Sequence, residues 1–249
     1  MQLHSGQIWF DESAWVGAEI EFPDCEVTRW KITSKISEKE DFRRDSDAER
    51  QNPDFSTARA VFVCCDPNNP THEAILKVRL QIPKWQTWSE PPSVRAGQAS
   101  SALSFTAVRE ITALKKLVEA NCSSTPKLIA SEHQLQGDSD LVPGGYKDFL
   151  LMERVPGTVP GDGGFLENVL PTDEWTELKA AFKKAWLECI ACGIYHSDEA
   201  SRNLIWDREQ QKIYIIDWEE WDPNERMPSE VLTWSETVYT WWDIVNRRR

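Results

Sequence analysis

Three polar residues stand at intervals that suit phosphate chemistry: Asp198, Asn203 and Asp217. Residues 196–206 read His-Ser-Asp-Glu-Ala-Ser-Arg-Asn-Leu-Ile-Trp, and 213–219 read Ile-Tyr-Ile-Ile-Asp-Trp-Glu, with a polar run between them. The apolar pair after Asn203 predicts entry into a strand. The polar run predicts a hairpin turn, and residues 213–216 predict a second strand that delivers Asp217. The three side chains are therefore expected together at one end of a short hairpin. Two carboxylates and a carboxamide are hard oxygen ligands that suit a magnesium–phosphate site. One carboxylate is left over to receive a hydroxyl proton.

This spacing resembles the protein kinase-like superfamily, whose catalytic loop reads His-x-Asp-x-x-x-x-Asn and whose metal strand ends in Asp. Here the matching residues are His196, Asp198, Asn203 and Asp217. Accidental His-x-Asp-x4-Asn matches in a chain of this composition number about 0.01, so chance is a poor explanation. Asp-Trp-Glu at 217–219 is more similar to the aminoglycoside phosphotransferase and choline kinase branch than to typical protein kinases. The resemblance implies an ATP- and Mg²⁺-dependent transfer of a phosphoryl group to a hydroxyl. It makes Asp198 the proton acceptor and gives Asn203 and Asp217 the Mg²⁺. His196 braces the loop.

The elements that position these residues follow in order. Residues 26–36 alternate apolar and polar side chains and predict a strand. Residues 37–56 are charged, hold Pro53 and predict an exposed loop. Residues 58–65 predict a second strand, 66–70 a turn and 73–82 a third strand, Ala74-Ile75-Leu76-Lys77-Val78 at its centre. That strand resembles the kinase lysine strand, which implies that Lys77 meets the α- and β-phosphates. Residues 85–101 read as a linker. Residues 103–120 carry an apolar helical stripe with Ser104 as N-cap. The family arrangement makes Glu110 in that helix the partner of Lys77, with Glu119 as the fallback.

Residues 126–133 predict a strand and 134–145 a polar loop. Then Phe149-Leu150-Leu151-Met152-Glu153-Arg154-Val155-Pro156-Gly157 resembles a kinase strand and hinge. By position, adenine would bond the carbonyl of Glu153 and the amide of Val155. The glycine-rich run at 161–164 lacks a Lys-Ser/Thr and reads as a linker. Residues 173–192 form the strongest predicted helix, capped by Thr172 or Asp173 and ended by Gly193. His196 follows directly. Residues 229–245 predict a tryptophan-bearing helix, and Arg247, Arg248 and Arg249 a solvated tail.

The expected fold is α+β, a two-lobe protein kinase-like arrangement. It has an N-terminal extension at 1–25, a small antiparallel-sheet lobe with one helix at 26–155, and a mostly helical, reduced lobe at 156–249. Three departures from the family pattern stand out. No Gly-x-Gly-x-x-Gly loop precedes Lys77. Ala200 stands where many protein kinases carry a phosphate-steadying lysine, a role that Arg202 could fill. No Ala-Pro-Glu follows Asp217, and the platform that holds protein substrates is expected to be reduced. A small hydroxylated acceptor is therefore favoured over a protein one. The rival reading is a pseudokinase that serves as a nucleotide-binding or interaction scaffold.

Composition sets the bounds. The 249 residues suffice for one large domain or two lobes. A formal net charge of −13 argues against broad nucleic-acid or anionic-membrane binding and mildly favours cationic small substrates. No long apolar run or leader pattern predicts a membrane span or export. The 6 cysteines include adjacent Cys64 and Cys65, which point to opposite faces of a strand rather than to a disulfide framework. A reduced, intracellular setting, cytoplasmic or nuclear, is expected. Cys189 and Cys192 have zinc-like spacing but no second ligand pair, so a buried helix face is the expected reading. The sequence carries no signal for an oligomeric state.

Overall fold

In the computed structural model the described residues are 6–42, 55–160 and 171–244. The run at 161–164, the tail at 247–249 and most of the loop expected at 37–56 lie outside them. The architecture is α+β, with a curled antiparallel sheet and few helices. The chain divides into two compact units, Met1–Val108 with Leu128–Glu153, and Arg109–Lys127 with Arg154–Arg249. Among the described residues no helix is long and apolar enough to cross a membrane.

The first unit begins with α1 (Glu12–Trp15) and a six-stranded sheet. Its strands are β1 (Glu19–Glu21), β2 (Arg29–Asp41), β3 (Thr57–Asp66), β4 (Asn69–Gln81), β5 (Leu128–Leu135) and β6 (Tyr146–Glu153), in the spatial order β1-β2-β3-β4-β6-β5. The strands expected around Phe62 and Leu76 form and pair, with one face turned to the core. Ala60 lies opposite Val78, Phe62 opposite Leu76 and Cys64 opposite Ala74, all buried. Cys64 and Cys65 are both buried, because both faces of β3 are covered at that end.

The sequence reading is corrected at both ends of β2. Residues 37–41 belong to the strand, not to the charged loop. Glu38 accepts a 2.5 Å bond from the Trp9 amide, and Glu40 accepts a 2.6 Å bond from the Trp9 indole. Lys35 donates to the Phe10 carbonyl at 2.9 Å. These polar side chains are tied to residues far upstream, so no local signal marks them as strand. The N-terminal residues from 6 onward pack on the same sheet. β1 pairs with β2, and Trp9, Phe10 and Phe22 are part of the sheet's core. Two register shifts in the β2–β3 ladder mark bulges, which sharpen the sheet's twist.

The linker expected at 85–101 carries two short 3₁₀ turns and α2 (Pro92–Arg95). Next comes α3 (Phe105–Glu119), which begins in the first unit and continues in the second. Ser104 caps it as expected. The Ser104 Oγ accepts from the Ala107 amide at 3.4 Å, and Asp148 accepts the Ser104 N–H at 2.9 Å. The buried stripe is Ala107, Glu110, Ile111, Ala113, Leu114 and Leu117, while Val108 and Val118 are exposed. The buried face thus carries Glu110 inward.

In the second unit, α4 (Thr172–Ala191) buries Trp175, Leu178, Phe182, Ala185, Trp186 and Cys189 at helical spacing. Its N-cap position is Pro171, which makes no side-chain cap bond. Asp173 and Glu174 lie in the first turn, where they favour the helix dipole. Gly193 ends α4 at φ +85°, a left-handed conformation that suits glycine. β7 (Ile194–His196) pairs antiparallel with β10 (Trp221–Pro223), and β8 (Leu204–Asp207) pairs with β9 (Lys212–Ile215). The Asp207 carboxylate accepts from the amides of Glu209 and Gln210, which folds the hairpin turn. Instead of one helix over 229–245, two short ones form: α5 (Ser229–Leu232) and α6 (Thr237–Trp241). Trp234, Tyr239 and Trp242 pack on Phe182 of α4, and that tertiary clustering overrides a continuous helix.

Candidate functional site

His196 ends β7 and is buried at 4% exposure. Its Nε2 donates to the Ile216 carbonyl at 3.0 Å, and its ring packs edge-on against Trp218 at 4.7 Å. The Ile216 amide donates to the Asn203 carbonyl at 2.9 Å. The peptide groups on both sides of Ile216 are therefore held, one by Asn203 and one by the histidine. Asp217 comes next, at φ +64°. Left-handed backbone is tolerated by Asp more readily than by most residues, and it directs this carboxylate out of the strand path. The Trp218 indole donates back to the Ile215 carbonyl at 3.1 Å and fixes the far side.

Asp198 and Asn203 meet directly. The Asn203 Nδ2 donates to the Asp198 main-chain carbonyl at 2.8 Å and to its carboxylate at 3.0 Å. That leaves the carboxamide oxygen as the atom Asn203 can offer a cation. Arg202 Nη2 lies 2.6 and 2.8 Å from the two Asp198 oxygens. Asp198 is 37% exposed, so it remains open to solvent on one side.

Asp217 meets a different pair. Glu110, Asp217 and Glu219 each offer a carboxylate oxygen, and the three atoms lie within 4.8 Å of one another. Glu110 is 1% exposed. Arg109 explains how α3 is brought to this segment. Its Nε donates to the Glu219 carbonyl at 2.8 Å, its Nη2 donates to the Trp221 carbonyl, and the Trp221 indole donates back to the Arg109 carbonyl at 2.9 Å. Neither Glu219 nor Arg109 is assigned a role by the motifs of the sequence. The only signal for Glu219 was its place two residues after Asp217.

Lys77 lies on β4 in the middle of the sheet, opposite Val61 and Leu150, so it is not an edge-strand lysine. Glu153 ends β6 and is exposed, and Val155 is half-buried. Gly157 has a local reason to be glycine. At φ +111°, a Cβ there would stand 2.3 Å from the Trp206 carbonyl oxygen, where residue 158 pairs with β8. Glu119, the fallback acid, is exposed at the end of α3. Cys189 faces the core beside Cys122.

The electrostatics follow from burial and crowding. Burial holds the Glu220 carboxyl above its usual range, and Glu219, Asp198 and Asp222 push it the same way against Arg109. Burial also raises Glu199, despite the hydrogen bond from the Tyr195 hydroxyl. Burial lowers His196, and the carboxylates of Asp217 and Asp198 only partly oppose it. The Nδ1 atom of His196 has no partner among the described residues, which fits a neutral ring protonated at Nε2.

A pH dependence follows. Below the ordinary histidine value of 6.5 the unfolded chain takes up a proton that folded His196 does not. This contribution to stability is complete above 6.5 and is lost progressively as pH falls toward the lowered folded value. Urea midpoints measured through this window should drop less steeply in His196→Gln, whose amide can still donate to Ile216. Equal slopes for the two proteins would rule out His196 as the source.

No protein-family model matches this chain, and no curated protein matches it.

Proposed function

We propose that the protein is a kinase-like phosphotransferase of two lobes, which moves the γ-phosphoryl group of ATP to a hydroxyl. The observation that carries this reading is the build of the 196–219 segment. Asn203 bonds the Asp198 carboxylate, while its main chain holds the strand end that delivers Asp217. The donor set also fits the metal. Carboxylates at Asp217, Glu110 and Glu219 and a carboxamide at Asn203 are hard oxygens of the kind Mg²⁺ takes. Bound Mg²⁺ would neutralise charge on the β- and γ-phosphates.

The chain's own groups do the rest. The Asp198 carboxylate orients the acceptor hydroxyl and takes its proton as the oxygen attacks the γ-phosphorus. The bond to the β-phosphate oxygen breaks, and ADP leaves. Arg202, one fork away from Asp198, steadies the transferring group in place of a lysine at 200. Lys77 meets the α- and β-phosphates, and the Glu153 carbonyl and Val155 amide take the adenine. The acceptor is a small hydroxylated molecule, cationic by preference. The carboxylates of Asp198, Glu219 and Asp222, which all act on that of Glu220, make the segment acidic and support that choice.

One observation favours a second reading, a scaffold that binds nucleotide without turnover. Both Asp198 oxygens are engaged by Arg202, which competes with a hydroxyl for the same carboxylate.

The nucleotide half is tested by thermal unfolding. Mg-ATP at about 100 times its dissociation constant should add about 2.7 kcal/mol to the folded state. Asp217→Ala should remove the metal-dependent part of that gain. Absence of any shift for the wild type in millimolar Mg-ATP would sink both readings.

A further inference from the structure

Away from the site just described, three thiols gather where α3 and α4 both end. α3 stops in a Schellman turn: the Asn121 amide bonds the Val118 carbonyl at 3.0 Å, and the Cys122 amide bonds the Leu117 carbonyl at 2.9 Å. Asn121 takes φ +56°, the left-handed residue that turn requires. This carries Cys122 under the last turn of α4, where its sulfur lies 3.9 Å from that of Cys189. The two are 5% and 3% exposed, and the nearby Cys192 is half-buried. The loop after Cys122 is held to the same turn of α4. The Ser123 amide donates to the Glu188 carboxylate at 2.7 Å, and the Ser124 hydroxyl bonds it too.

We propose that Cys122 and Cys189 are an oxidisable dithiol that hydrogen peroxide closes to a disulfide. The geometry requires the sulfurs to approach from 3.9 Å to about 2.05 Å. Cys122 sits in a loop rather than inside a helix, so it can supply that movement. The chemistry balances in two steps. The Cys122 thiolate attacks a peroxide oxygen, the O–O bond breaks, and a sulfenic acid and hydroxide form. The Cys189 thiol then attacks that sulfur, the S–S bond forms, and water leaves with the thiol proton. Two thiols are oxidised and one peroxide is reduced to two waters.

The division of roles has a cause. The Cys189 thiol hydrogen-bonds Cys122 and draws it below the ordinary thiol value against its burial, while Cys189 itself is raised. Cys122 is thus the nucleophile and Cys189 the resolving thiol. Burial pushes Cys192 up to about 12, which makes it the poorer nucleophile. Cys64, also pushed up to about 12 by burial, is an internal control within the sheet. This inference does not depend on the nucleotide reading.

The test is peptide mapping of the full chain. The reduced protein is treated with hydrogen peroxide, alkylated, digested without reductant and weighed. The expected product joins the peptides of Cys122 and Cys189, lighter by two hydrogens than their sum, and dithiothreitol dissolves it. Cys192→Ser should leave the link intact, and Cys189→Ser should abolish it. The wild-type map stands by itself even where a serine variant folds poorly. Full alkylation of both cysteines after peroxide, a link from Cys122 to Cys192, or over-oxidation of Cys122 without a link would each overturn the proposal.

Discussion

Replacing Asp198 by alanine is expected to lower phosphoryl-transfer turnover by about 10²–10⁴ while leaving Mg-ATP binding nearly intact, the scale of losing a general base. Asp198 is suited to this test because its role in the fold is small. It is partly exposed, and its carboxylate partners are Arg202 and Asn203, both local. The groups read as metal-binding, Asp217 and Asn203, keep their main-chain support through Ile216. Asp198→Asn sharpens the comparison. It keeps the shape and an oxygen for Asn203 to bond, but it cannot take a proton, so its activity should fall as far as that of the alanine variant. A labelled-ATP assay against small metabolites and general protein substrates reads both the loss and the acceptor. Activity unchanged in both variants would remove Asp198 from the chemistry. A wild type that binds Mg-ATP but labels no acceptor would leave the scaffold reading standing.

Trp218→Ala is expected to cost about 3–5 kcal/mol of stability, the range for truncating a large buried aromatic. Trp218 is fully buried, its ring packs on His196, and its indole bonds the Ile215 carbonyl. Truncation would leave a void under His196 and free the strand end that aims Asp217. Trp218→Phe keeps most of the ring but gives up the indole bond, and should cost about 1–2 kcal/mol. The chain has 13 tryptophans, so fluorescence would mix many signals. Urea unfolding followed by far-ultraviolet circular dichroism is the cleaner measure. A cost below about 1 kcal/mol for the alanine variant would contradict the burial argument.

Much of the architecture could be read from local pattern. The strands around Phe62, Leu76 and Leu150, the helix from Phe105 and the long helix through Phe182 all show their period in sequence. So does the hairpin that follows Asn203. What could not be read depends on partners distant along the chain. Residues 37–41 look like a charged loop until Trp9 is seen bonding Glu38 and Glu40. The apolar stripe of α3 gives no sign of Glu110, a charged residue that is buried beside two other carboxylates. The 229–245 segment has helical spacing, but its tryptophans are worth more packed on α4 than aligned along one helix. In the site, Asp198, Asn203 and Asp217 came from a motif. Arg109 had no motif, since its bonds go to main-chain carbonyls 110 and 112 residues away.

That last arrangement makes mutational tolerance unequal across the clasp. The acceptors at 219 and 221 are backbone oxygens, which every amino acid possesses, so the identity of residue 219 is free as far as the clasp is concerned. Arginine at 109 is not free. Two donors must leave one rigid fork in fixed directions, and a lysine ammonium cannot reproduce that spacing. A designer altering the carboxylate at 219 can therefore change the charge of the cluster without unfastening the helix that carries Glu110, whereas even a charge-preserving change at 109 gives up the forked pair and leaves only the Trp221 indole bond to the main chain.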